Sequence, residues 1–414
     1  MSFAGFKVTL LQKSNTNPAF ICLLVSAMDN AHLEFSETLG IFNQSIACAI
    51  DIRKLNKEFY MQKKIIALAI ASALTAPAVA MADSVGNVVL YGQANLSVDV
   101  VNDGANPSGS SNNLVSNASR VGVKGSEDLG SGLTAMFQLE KEVNLDDGTH
   151  DSTTTATNGN SRMFDRNTFI GLSSADMGTV LFGRHDTPYK ISTRSLDLFA
   201  DGVADNRNNI MSGHDVRLDN VIAYISPSLS GLTIAAASEF GAEGAGNASK
   251  KGTALSLAGM YTQGGIYATL AYQSVKFGDV GDLAASLPAA ADDEVKAFKL
   301  GGGYTMDAIA VNLVVEKFTD KIAAATGDTT GTNWQIGGKY SLSDTDAVKL
   351  AYGKHGESDT AGFGKNGDET KQVSLGYDHG MSKRTTVYAL YNKITAQGVT
   401  ADPSTVSVGL KHAF

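Results

Sequence analysis

From Gly86 to the C-terminal Phe414 the chain alternates apolar and polar residues with a period of two. Leu133, Ala135, Phe137 and Leu139 interleave with Thr134, Met136, Gln138 and Glu140. Trp334, Ile336, Gly338, Tyr340 and Leu342 interleave with Gln335, Gly337, Lys339 and Ser341. Val348, Leu350 and Tyr352 oppose Lys349, Ala351 and Gly353, and Val373, Leu375 and Tyr377 oppose Gln372, Ser374, Gly376 and Asp378. Such alternation makes strands with one apolar and one polar face, which excludes a helical fold. The apolar face must meet either a second sheet or lipid.

Connection lengths separate those two cases. The pattern predicts sixteen strands joined alternately by tight turns and long loops. Tight turns fall at 129–132, 173–178, 226–231, 262–265, 305–308, 342–346 and 379–383; long loops fall near 102–118, 143–165, 185–216, 241–252, 276–294, 318–332, 354–369 and 395–404. Strict alternation puts every long loop at one end, the layout of an outer-membrane barrel. The expected fold is therefore all-β, a 16-stranded antiparallel transmembrane β-barrel, wide enough for an aqueous channel. Tyr91, Phe137, Phe169, Tyr224, Tyr261, Tyr272, Tyr340, Tyr352, Tyr377 and Phe414 are expected on the apolar face, as interfacial rings.

The N-terminal part reads differently. Met61-Gln-Lys63-Lys64, an apolar run from Ile65 to Leu74, and Ala80-Met81-Ala82 form a basic region, a short apolar core and a cleavage site. Residues 61–82 are therefore read as a secretory signal peptide cut after Ala82. A leader at that position implies that residues 1–60 are a mis-called upstream extension, a genuine extension being the alternative, and that 83–414 is the barrel. Both cysteines, Cys22 and Cys48, lie upstream of it.

The formal charge of -9 argues against a nucleic-acid partner. His150, His185, His214, His355, His379 and His412 are scattered, and none joins a nucleophile-elbow or zinc-protease motif. Asp146-Asp147-Gly148 and Asp292-Asp293-Glu294 lack calcium-loop spacing. No catalysis, cofactor or metal is expected.

Between Gly183 and Arg217 lie about thirty residues with no clean period, longer than structureless connections usually run. The stretch holds Asp186, Asp197, Asp201, Asp205 and Asp215 beside Tyr189, Leu196, Leu198, Phe199, Ile210 and Met211. An acid-bearing loop with that much apolar content is expected to pack inside the barrel and narrow it.

The chain resembles the general porins of Gram-negative bacteria over essentially all of 83–414. The resemblance is carried by Val89-Leu-Tyr-Gly92, by the run Ser119-Arg-Val-Gly-Val-Lys-Gly-Ser-Glu-Asp-Leu-Gly-Ser-Gly-Leu133, by Phe169-Ile-Gly-Leu172, by Gly178-Thr-Val-Leu-Phe-Gly-Arg184 and by Val408-Gly-Leu-Lys-His-Ala-Phe414. It implies a homotrimer in the outer membrane, in contact with its lipid, passing ions and small hydrophilic solutes, with an in-folded third loop. It places the basic wall at Arg120, Arg166 and Arg217, with Lys124 on the same face and Gln93 where many relatives carry a base. The facing loop acids fall on Asp197 and Asp201, with Asp205 third, and Phe414 becomes the signal read by the barrel-assembly machinery. Five loop acids and the lost base at Gln93 suggest a mild cation preference.

Overall fold

The computed structural model describes residues 87–104, 109–149, 163–211, 213–240, 252–277, 293–321, 328–356, 369–397 and 402–414. Residues 1–60 and the leader 61–82, with Ala80 and Ala82, lie outside them.

Six strands come first: β1 (Asn87–Asn102), β2 (Ser110–Ser116), β3 (Arg120–Gly130), β4 (Leu133–Glu142), β5 (Thr168–Ser174) and β6 (Gly178–Asp186). Two short helices follow, α1 (Pro188–Thr193) and α2 (Asn206–Asn209). Then come β7 (Arg217–Ile225), β8 (Leu232–Glu239), β9 (Thr253–Gln263), β10 (Ile266–Lys276), β11 (Glu294–Met306) and β12 (Ile309–Lys321). The last are β13 (Thr329–Ser341), β14 (Asp346–His355), β15 (Thr370–Gly380), β16 (Thr385–Ala396) and β17 (Ser404–Ala413).

Successive strands pair antiparallel, except that β2 and β3 both pair with β1, and β17 pairs back onto β1, from Gln93↔Ala413 to Asn102↔Ser404. Closure leaves no edge to expose unpaired backbone groups. The seventeen segments make a 16-stranded barrel. The reason is that β2 and β3 are two halves of one stave: β1 pairs with β2 through Leu96↔Ser116 and with β3 from Gln93↔Arg120 downward. The break between them holds Ala118 in a left-handed conformation, φ 50°.

Polarity runs inside out. Leu270, Leu300 and Leu350 point outward and are 61%, 58% and 55% exposed, whereas the inward Gln273, Lys299 and Gln372 are buried. Direct cross-strand partners share a face, so the ladder carries this parity around the barrel. No helix among the described residues is long and apolar enough to cross a membrane; the strands present the apolar band instead.

The register corrects two aromatics. Tyr91 faces inward, opposite Gly122, and its hydroxyl donates to Glu140 at 2.9 Å. Phe169 pairs with the inward Gln138 and packs edge-on against His185, ring centroids 5.2 Å apart. Both lie in runs that are apolar in either phase, and their neighbours Leu90 and Ile170 take the outward side. Phe414 is outward. Its backbone exchanges two 3.1 Å hydrogen bonds with Gly92, and its ring lies where a Cβ at Gly92 would stand.

Candidate functional site: the narrowed lumen

The connection from β6 to β7 runs inside the barrel, and local sequence chemistry shapes it. Thr187 caps α1, its hydroxyl accepting from the Lys190 backbone N–H at 3.3 Å, and Pro188 opens the helix where a missing donor costs nothing. Asp205 caps α2 and accepts from the Arg207 N–H at 2.9 Å.

Large side chains of this loop seat on small inward residues of the wall. Tyr189 packs on Ala258, Ala271 and Ala297, and its hydroxyl donates to Glu316 at 2.6 Å. A Cβ on Gly301 would lie 2.6 Å from Leu196, and one on Gly376 would lie 2.7 Å from the Phe199 ring. Glycine inside a strand commonly marks such an approach. Wall side chains then bind the loop backbone. Tyr267 donates to the Ser192 carbonyl at 2.5 Å, Lys349 to Leu198 at 3.0 Å, Gln372 to Ala204 at 2.8 Å and Asn95 to Asp201 at 3.2 Å. The loop thus lines the inner face from β9 round to β1, and the remaining gap is bounded by β1 and β3–β7.

The return limb is held by a buried ionic cluster. His214 lies between two carboxylates of β12, with Nδ1 3.3 Å from Glu316 and Nε2 3.2 Å from Asp320. Lys299 of β11 bridges Asp215 at 2.5 Å and Glu316 at 3.6 Å. These carboxylates push the His214 imidazole up to about 9 despite burial, which opposes the charge.

The three loop acids are not equivalent. Asp201, held at φ 64°, reaches across to Arg120 at 3.3 Å and also meets Arg207 at 3.4 Å and Arg194 at 3.8 Å. Asp197 turns into the loop itself and accepts from the Phe199 and Asn206 N–H groups, both at 2.9 Å. Its side chain is 0% exposed, and burial, then the neighbouring Asp205, push its carboxyl up to about 7. Asp205 is likewise internal, paired with Arg207 at 2.6 Å. Of the three, Asp201 alone meets the wall.

The wall bases have their own carboxylates. Arg166 lies 2.6 Å from both Glu140 and Glu142. Arg217 pairs with Asp186 at 3.0 Å and donates to Asn167 at 2.9 Å. Lys124 stands over the Tyr91 ring, 4.5 Å from its centroid, lower on the stave than Arg120. Gln93 accepts from Arg120 at 3.3 Å, so an amide orients the arginine where a base would repel it. Sequence reasoning did not assign Glu140, Glu142, Arg184, Arg194 or Lys349 to the constriction, and named Asp186 only as one of five loop acids. Strand parity identifies Glu140, Glu142 and Lys349 as inward. Asp186 becomes the hub of Lys190, Arg194 and Arg217 only through folding.

A closed barrel with an apolar exterior, a charged interior and an internal loop narrowing it is a transmembrane channel. The Gram-negative porin family model matches residues 67–398, and this chain belongs to that family. It is 30% identical to outer membrane porin protein 32 of Delftia acidovorans, over 86% of this chain and all of that one. It is 29% identical to an outer membrane porin of Bordetella pertussis over 73% and 84% of the two chains. Among solved structures, the anion-selective porin from Comamonas acidovorans aligns with a TM-score of 0.65 and 25% identity, over 80% of this chain and all of that one. The protein is an outer-membrane porin channel. Its homologues are porins, which are channels, and OmpT of Vibrio cholerae, 16% identical with a TM-score of 0.58, has been solved in a trimer form.

Proposed function

We propose that this porin is a weakly anion-preferring diffusion channel for small hydrophilic solutes, narrowest where Asp201 faces Arg120. The carrying observation is the burial of the loop's acids. Asp186, Asp197 and Asp205 are satisfied within the protein, their side chains 2%, 0% and 2% exposed. The bases Arg194, Lys190, Arg120, Arg184, Arg217 and Lys349 all reach water, against Asp201, Glu142, Asp219 and Asp378 among the acids. Charged rings are a principal way in which pores select ions, and here the water side is the more basic. Burial therefore reverses the sign suggested by loop composition, and the anion-selective relative supports this direction.

The channel works as a homotrimer with its long loops outward, begins at Asp83 after removal of the leader, and uses Phe414 for recognition by the assembly machinery. Reversal potential in a planar bilayer under a tenfold KCl gradient tests the selectivity. An anion-favouring sign is expected, and a cation-favouring sign refutes the proposal.

A further inference from the structure

Lys190 leaves α1 on the side away from the barrel wall. Consecutive helix residues point about 100° apart, so the turn that seats Tyr189 on Ala258, Ala271 and Ala297 swings Lys190 out of that contact. Its side chain stays 19% exposed, and its Nζ lies 3.0 Å from Asp186 Oδ1, one helical turn back.

Asp186 serves three cations at once. Arg217 Nη2 reaches the same oxygen at 3.0 Å, and Arg194 Nη1 lies 3.7 Å from the other. That second oxygen also accepts from Asn167 at 3.3 Å. Two guanidinium groups and an ammonium against one carboxylate leave a local charge of +2. A guanidinium keeps its proton at physiological pH, so the crowding can be relieved only at the lysine. Burial, then Arg217 and Arg207 against the opposing pull of Asp186, lowers the Lys190 ammonium to about 8. About a fifth of the chains then carry a free amine at pH 7.4, against roughly one in a thousand for an ordinary lysine. A free amine is a nucleophile, and its surroundings favour a product of negative charge.

We propose that Lys190 is a site of reversible carbamylation by dissolved carbon dioxide, with Arg217 and Arg194 holding the carbamate. The Nζ lone pair forms an N–C bond to the carbon of CO2. One C=O π pair moves onto oxygen, one N–H proton passes to water, and nothing is oxidised or reduced. The remaining N–H donates to Asp186 as the ammonium did. Arg217 Nη2 stands no more than about 6 Å from Nζ, because both reach the same carboxylate oxygen, and the carbamate oxygens extend towards it within reach of a charge-assisted hydrogen bond. The local charge falls from +2 to 0, since the cation at Lys190 becomes an anion.

The test traps the carbamate in the folded full barrel. Protein equilibrated with isotope-labelled CO2 at pH 7.4 is treated with triethyloxonium, which esterifies the carbamate, and its peptides are read by mass spectrometry. A labelled ethyl carbamate is expected on Lys190. Arg194→Gln should lower its yield about fivefold, as loss of one partly exposed ion pair implies. In planar bilayers at 0.1 M KCl and fixed pH, admitting CO2 should move the permeability ratio towards cations by up to about fourfold, since each unit charge about 8 Å from the ion path shifts it about twofold. Lys190→Arg keeps the positive charge but has no free amine, so its reversal potential should ignore CO2. The trapping result holds whichever ion the channel prefers, which separates failure here from failure of the selectivity proposed above. Absence of labelled ethyl carbamate on Lys190 in the unaltered protein, an undiminished yield in Arg194→Gln, or a CO2 response that survives Lys190→Arg each overturns the proposal.

Discussion

Asp201→Asn should shift ion selectivity, and Asp197→Asn should leave it nearly unchanged. The two carboxylates are four residues apart, but Asp201 lies 3.3 Å from Arg120 at the gap while Asp197 accepts two backbone hydrogen bonds inside the loop. An ion passing about 8 Å from Asp201 in water feels roughly 0.5 kcal/mol, and about half of that at 0.1 M salt, where the Debye length is about 10 Å. Removing the charge favours anions and disfavours cations by that amount each. The permeability ratio should therefore move towards anions by about twofold at 0.1 M. At 1 M the Debye length is about 3 Å and the effect should vanish. Reversal potentials of both variants at the two salt concentrations are the assay. Equal shifts from the two substitutions, or none from either, would show that burial does not sort the loop's acids and would remove the basis of the selectivity proposed here.

Other consequences follow from the loop's attachments. His214 faces Glu316 and Asp320 of β12, with Lys299 of β11, Tyr189 of α1, Asn333 of β13 and Asp215 of its own loop nearby. Because its folded value is raised to about 9 from the usual 6.5, its stabilisation is complete below about pH 6.5 and lost as pH rises through 9, a change of about 3 kcal/mol. In a Lys190→Met background, which removes the ammonium that burial lowers to about 8, open-channel noise should grow between those limits, and adding His214→Gln should make it independent of pH there. Phe199→Ala empties the seat at Gly376, costs about 3–5 kcal/mol of local packing, and should expose the loop to protease; full resistance would contradict the docking described. Deleting Phe414 removes the backbone pairing to Gly92 and should reduce the yield of folded trimer on heat-modifiability gels to traces, whereas a normal yield counts against its role. Mass analysis of the membrane-inserted protein should begin at Asp83, and peptides from residues 1–60 would contradict the proposed start.

The sequence alone determined the barrel and the sorting of its faces. A strand's side chains alternate strictly, and in a closed antiparallel ladder direct partners share a face, so inward Lys349 and outward Leu350 are legible from their spacing. Loop length was equally legible, because a tight turn and a loop of thirty residues need no register to tell apart. Tertiary structure decided the rest. Tyr91 and Phe169 sit in runs apolar in both phases, and only pairing with Gly122 and Gln138 fixed them inward. Asp197, Asp201 and Asp205 look alike in sequence, since the loop has no period to assign a direction. Their roles were set when Leu196 and Phe199 found room at Gly301 and Gly376, more than a hundred residues away. That docking turned two carboxylates into the loop's own backbone and left Asp201 to pair with Arg120 across the gap, because a buried carboxylate must find donors wherever the fold supplies them.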